Sequence, residues 1–213
     1  MKRITLIISV IAVLIFSGCE AEMEENAIER IQKSLVNLET YSCTAYIVQK
    51  SNKGESNYEV TQQAKRSGEY RITVTSPEKV AGTITIFNGR STFQYNPKVD
   101  GSLKIDIPHS QARNEILLTS FIKNYLTGKE STVQVMASED AGFEKGEKFT
   151  VPEAKIPGTN PHMTTERLMI DNETFLPVKL VIYDENDNEK IVVTYKEIEY
   201  NVKLGEELFT ITD

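Results

Sequence analysis

The sequence predicts an α+β fold, in which one curled antiparallel sheet of about ten strands forms an unclosed barrel covered by two amphipathic helices. Three observations point there. Most of the chain alternates apolar and polar residues at the period of a half-buried strand, and only two stretches repeat at helical spacing. The strands also follow one another through short polar turns of the kind that join antiparallel neighbours.

The N-terminus stands apart from that pattern. Lys2 and Arg3 form a basic region, Ile4 to Phe16 is a 13-residue apolar run broken only by Thr5 and Ser9, and Ser17 and Gly18 are small. This is the layout of a signal peptide over residues 1–18, and the run is shorter than the about 20 residues that span a bilayer. Cys19 follows at once, and it has several readings. It could end an ordinary secretory signal or pair with Cys43, the only other cysteine, in an oxidising compartment. The order basic, apolar, small, cysteine favours a third reading, a lipobox at Phe16-Ser17-Gly18-Cys19, although Phe16 stands where leucine is usual. Cys19 would then carry a palmitate-type diacylglyceryl anchor, and Cys43 would be a lone core residue in phase with Ala45 and Ile47. Residues 19–26 form a short acidic tether, and residues 27–213 the folded domain.

Within the domain, Ile28, Ile31, Leu35 and Leu38 recur at helical spacing and predict a helix over 25–40. Strands are predicted over 41–50, 58–65, 70–75, 82–87, 92–95 and, more weakly patterned, 103–107. Asn88-Gly89 between two of them is a tight hairpin turn with both residues at positive φ. A second helix spans 111–127, with Ile116, Leu117, Phe121, Ile122 and Leu126 on one side and Gly128 as its stop. Strands resume over 133–137, 148–151, 165–170, 178–183 and 190–200, and "PEAKIPGTNPHM" between two of them reads as a long irregular loop.

Composition narrows the function classes. The chain of 213 residues carries a net charge of −7, and removing Lys2 and Arg3 with the signal leaves 22 basic against 31 acidic residues, a balance of −9. Nucleic-acid phosphates and anionic lipid headgroups repel such a chain, so nucleic acid is not an expected partner. His109 and His162 lie far apart beside prolines, and no H-x-x-x-H or C-x-x-C pair is present to hold zinc. Phosphate-binding and nucleophile-elbow motifs are missing as well, so no catalytic residue, metal ligand or cofactor is expected. "DENDNE" opens like a calcium loop at Asp184, Asn186 and Asn188, but Glu189 stands where glycine is needed and Tyr195 where a bidentate glutamate is needed. A polar hairpin turn is the better reading.

Two segments, "TITIFNGRSTFQYNP" (Thr83 to Pro97) and "ERLMIDNETFLPVKLVIYD" continuing to "LFTI" (Glu166 to Ile211), together resemble the LolA/LolB-like lipoprotein-carrier fold family. Within it the helix, "YSCTAYI" and the "LPVKLVIYD" hairpin are most similar to anchored clostridial germination lipoproteins of the GerS type. The resemblance implies a non-enzymatic protein on the extracytoplasmic face of a cell or forespore membrane. It would bind and activate a zinc-dependent cortex amidase of the CwlD type, which helps form muramic-δ-lactam, and the zinc would belong to that partner. A second expectation uses the same fold as a carrier, with Ile84, Ile86, Ile170 and Ile182 lining a concave face that holds a lipid; the plainer reading makes them core residues under the helices.

Overall fold

The structure, a computed structural model, describes residues 26–108, 113–137 and 148–211. The signal peptide, Cys19, most of the tether and His109 lie outside the described residues.

Helix α1 covers residues 26–36. Six strands follow as a meander: β1 (Thr40–Ser51), β2 (Gly54–Lys65), β3 (Tyr70–Ser76), β4 (Ile84–Phe87), β5 (Ser91–Asn96) and β6 (Gly101–Asp106). Helix α2 (Leu118–Thr127) then leads to a second meander of β7 (Thr132–Ala137), β8 (Lys148–Lys155), β9 (Thr165–Asp171), β10 (Pro177–Tyr183) and β11 (Glu189–Tyr200). A short 3-10 turn, Glu206–Phe209, follows. All eleven strands form one antiparallel sheet in the order β6-β5-β4-β3-β2-β1-β11-β10-β9-β8-β7. The two ends of the chain's β-region therefore pair at the centre, Tyr41 opposite Tyr200 and Ile47 opposite Val193. The sheet is unclosed, with β6 and β7 at its edges, and α2 is the connection that crosses from one edge to the other.

One face of this sheet is the core face. Tyr41, Cys43, Ala45 and Ile47 of β1 alternate onto it, as do Val60 and Ala64 of β2, Leu168 and Ile170 of β9, and Val193 and Tyr195 of β11. Ile31, Leu35 and Leu38 come down on it from the α1 end, and Leu117, Leu118, Phe121 and Ile122 from α2. Each fully buried aliphatic side chain contributes roughly 1.5–3 kcal/mol, so the two helical stripes supply much of what holds the cover on the sheet. The opposite face has a smaller cluster, Phe149, Val151 and Met169.

Several local expectations are sharpened or corrected. Only Gly89 of the β4–β5 turn has positive φ (90°); Asn88 works through its side chain, whose Oδ1 accepts the N–H groups of Arg90 (3.1 Å) and Ser91 (2.9 Å). Gly128 does stop α2, but at φ −71° it is not a left-handed cap. A Cβ there would lie 2.7 Å from Asn124 O, so close approach is what requires glycine. β8 runs through Pro152 to Lys155, which shortens the expected loop, and pairing with β9 lapses at Val151 and Pro152, since proline has no N–H to donate.

The lining of the concave face needs the largest correction. Ile84 lies opposite Thr73 and Ile86 opposite Arg71, whereas Tyr70 and Ile72 face the core. Paired residues share a face, so Ile84 and Ile86 point away from the helices, and only Ile170 and Ile182 lie on the covered side.

Candidate functional site

Buried polar ties and a cleft gather around α2. Its first turn is tied to the sheet by a buried polar relay. Leu118 N–H donates to Tyr41 Oη (3.2 Å), Tyr41 O–H donates to Gln62 Oε1 (2.8 Å), and Gln62 Nε2 donates to Ile116 O (3.3 Å). Tyr41 and Gln62 are fully buried, and burial drives the Tyr41 phenol well above its usual pKa. The relay thus stays neutral and supplies a partner to one of the helix-start N–H groups that would otherwise be orphaned.

Further along α2, Asn124 is buried in an otherwise apolar stripe. Its Nδ2 donates to Glu166 Oε1 (2.7 Å) on β9, and its Oδ1 accepts from Arg113 Nη2 (3.1 Å). Arg113 also pairs with Glu115 Oε1 (3.1 Å) and donates to Pro157 O (2.6 Å). Glu166 is fully buried, and loss of solvent pushes its carboxyl up to about 8, with the Glu115 charge adding to the rise and the Asn124 hydrogen bond and Arg113 opposing it. At neutral pH it is a carboxylic acid, not a carboxylate.

Beside this cluster lies a cleft of about 350 Å3 between α2 and the β2–β3 turn. Leu38, Tyr70, Leu117 and Ile122 contribute apolar walls, and Arg66, Arg113 and Lys123 contribute positive charge. That volume is at the lower end for small-molecule sites, and its chemistry suits an anionic or amphiphilic group. Arg66 is partly committed, because its guanidinium donates to the Val36 and Leu38 carbonyls.

The residues singled out from sequence fall elsewhere. Cys43 is buried with its Sγ 3.9 Å from Gln62 Oε1, and burial pushes the thiol up to about 12, which removes the thiolate that reactivity needs. His162 is exposed in the β8–β9 loop, its main-chain N–H donating to Asn160 Oδ1 (3.0 Å). Asp184 opens the β10–β11 turn, where its Oδ1 accepts the N–H groups of Asn188 and Asn186 (both 2.9 Å) and its Oδ2 pairs with Lys190 (3.2 Å). The backbone hydrogen bond from Asn188 leads the effects that lower its carboxyl to about 2. Donors fill these oxygens, which is the geometry of a polar turn. Among the described residues no group of three or more His, Cys, Asp or Glu side chains is placed to hold a metal ion.

Reasoning from sequence missed Gln62, Asn124 and Glu166. Their signal was phase: each is a polar residue at a position where its strand or helix otherwise buries apolar side chains.

An unclosed antiparallel sheet with two helices over one face is the α+β architecture that the residue pattern predicts. The chain belongs to the YdcC-like sporulation protein family, whose model matches residues 1–209. Among solved structures, an uncharacterized conserved protein from Thermus thermophilus is similar at 10% identity with a TM-score of 0.51, covering 89% of this chain and 94% of that one, a likeness of fold alone. A chain of the complex between the CwlD amidase of Clostridioides difficile and the GerS lipoprotein shows 26% identity and a TM-score of 0.49, covering 83% of this chain and 95% of that one. The LolA-superfamily protein NE2245 from Nitrosomonas europaea shows 14% identity and a TM-score of 0.44, covering 88% and 97%. No curated protein matches.

Proposed function

We propose that this chain is a membrane-anchored, non-enzymatic lipoprotein of spore formation that binds and activates a CwlD-type N-acetylmuramoyl-L-alanine amidase and so supports muramic-δ-lactam formation in the cortex. The observation that carries the reading is the sporulation family match along residues 1–209. The partner class comes from the sequence resemblance to GerS-type lipoproteins, in the "YSCTAYI" and "LPVKLVIYD" segments. The interior chemistry suits a binding scaffold: the Cys43 thiol is held protonated, and Tyr41, Gln62, Asn124 and Glu166 are engaged in fixing α2 to the sheet.

The anchor is Cys19. Among the described residues no helix is long and apolar enough to cross a membrane, and a diacylglyceryl cysteine supplies the two chains that lasting attachment needs. The acidic domain adds no attraction to anionic lipid, so the acyl chains carry the attachment alone. The domain then works on the extracytoplasmic side, next to the cortex.

Co-purification of the protein with the amidase, with and without zinc, tests the reading. A complex and a gain in amidase activity are expected; neither complex nor gain sinks it. A second reading, carriage of a lipid, is favoured by the apolar cleft with its basic residues. Mass spectrometry of protein extracted from membranes separates the two, since a carrier brings lipid beyond its anchor.

A further inference from the structure

The β6 edge combines an unpaired strand side with uncovered apolar side chains. Among the described residues β6 has β5 as its only neighbour in the sheet. Leu103 and Ile105 lie on the helix-covered face at 55% and 48% exposure, and Val99 in the preceding turn is at 73%. Such edges are where sheets accept another strand.

The direction of the main-chain groups follows from the ladder. Ile107 N–H donates to Arg90 O (3.1 Å), in the same register as Ile105 opposite Thr92 and Leu103 opposite Gln94. Hydrogen-bonded and non-hydrogen-bonded pairs alternate in an antiparallel ladder, so the odd-numbered residues of β6 face β5 with their main-chain groups. The even-numbered residues between them direct theirs away from the sheet.

We propose that β6 is a self-complementary edge, at which a second copy of this chain adds antiparallel across a twofold axis with Ile105 against Ile105. In that register Lys104 lies opposite Asp106 of the second copy, and Asp106 opposite its Lys104, on one face. Leu103 lies opposite Ile107, twice, on the other face, so the exposed apolar side chains of each copy cover those of its mate. The even-numbered pairs take the hydrogen-bonded positions, as the ladder phase requires. Moving the axis by one residue to Lys104 would set two lysines face to face, which disfavours it. Pro108, which has no N–H, ends the pairing. This self-complementarity, which any second copy satisfies without further requirement, is what selects a second copy as the occupant.

The test is disulfide trapping in the full chain at its native membrane. Across the axis an Ile105→Cys pair occupies a non-hydrogen-bonded site with Cα atoms about 4.5 Å apart, inside the range a disulfide bridges. Two Leu103→Cys residues would lie roughly 14 Å apart along the strands and could not join. Both positions are exposed, so the variants are expected to fold, and Cys43 is buried. After mild oxidation, Ile105→Cys should give at least five times the covalent dimer that Leu103→Cys gives on a non-reducing gel. Mixing Leu103→Cys and Ile107→Cys chains should restore the crosslink. Equal crosslinking of the two single variants, no dimer from Ile105→Cys, or its capture by a different protein would each overturn the proposal.

Discussion

Glu166→Gln isolates the buried carboxyl beneath α2. The folded protein holds this group at about 8 against its ordinary 4.5, chiefly through burial. Between those values the unfolded chain has released the proton and the folded chain retains it, so stability falls as pH rises, at about 1.4 kcal/mol per pH unit. From pH 6 to 8 the loss at this one site is roughly 2 kcal/mol, a large share of the 5–15 kcal/mol typical of a domain. The groups facing it are Arg113 and Glu115 from the segment before α2, Asn124 on α2 and Tyr195 on β11. Glutamine preserves an acceptor for Asn124 Nδ2 and has no proton to lose. Urea unfolding at pH 6, 7 and 8 should therefore show the two proteins within about 1 kcal/mol at pH 6 and the variant ahead by roughly 2 kcal/mol at pH 8. Parallel stability profiles for the two proteins would refute the assignment of a neutral, buried Glu166.

Three further outcomes are expected. Tyr41→Phe strands Leu118 N–H and leaves Gln62 Oε1 only its long contact from Cys43 Sγ, and should cost about 1–3 kcal/mol in urea unfolding; a change below about 0.5 kcal/mol would deny the relay its role. Cys43, pushed up to about 12, should resist iodoacetamide at pH 8 in the native protein and react once urea unfolds it, as read by mass spectrometry; rapid native labelling would contradict its burial. Cys19→Ala should release the protein from membranes or leave its signal uncleaved, checked by fractionation and intact mass; salt-resistant retention of a correctly cleaved product would oppose the anchor.

Local pattern made most strands and both helices legible, because alternation and helical spacing are written in neighbouring residues. β6 was the most weakly patterned strand, and its Leu103 and Ile105 alternate without being buried. Pairing of β1 with β11 joins residues some 150 positions apart, and no local signal announces it. Register decided the faces: Ile84 and Ile86 have the composition of core residues, yet their partners Thr73 and Arg71 set them on the far side. Asn88-Gly89 and Gly128 were located correctly for partly different reasons, since side-chain capping and close approach depend on atoms that a residue pattern does not display. The polar ties of α2 could have been suspected from phase alone, as Gln62 sits between Val60 and Ala64, and Glu166 is in step with Leu168 and Ile170. Their partners could not, because Tyr41 and Leu118 meet only when α2 crosses the sheet.

The most direct measurement of the central claim is muropeptide analysis of cortex from spores that lack this chain. If it activates a cortex amidase from its membrane anchor, muramic-δ-lactam should fall sharply and return when the intact chain is restored. Spores without the chain that keep a normal muramic-δ-lactam content would contradict the account.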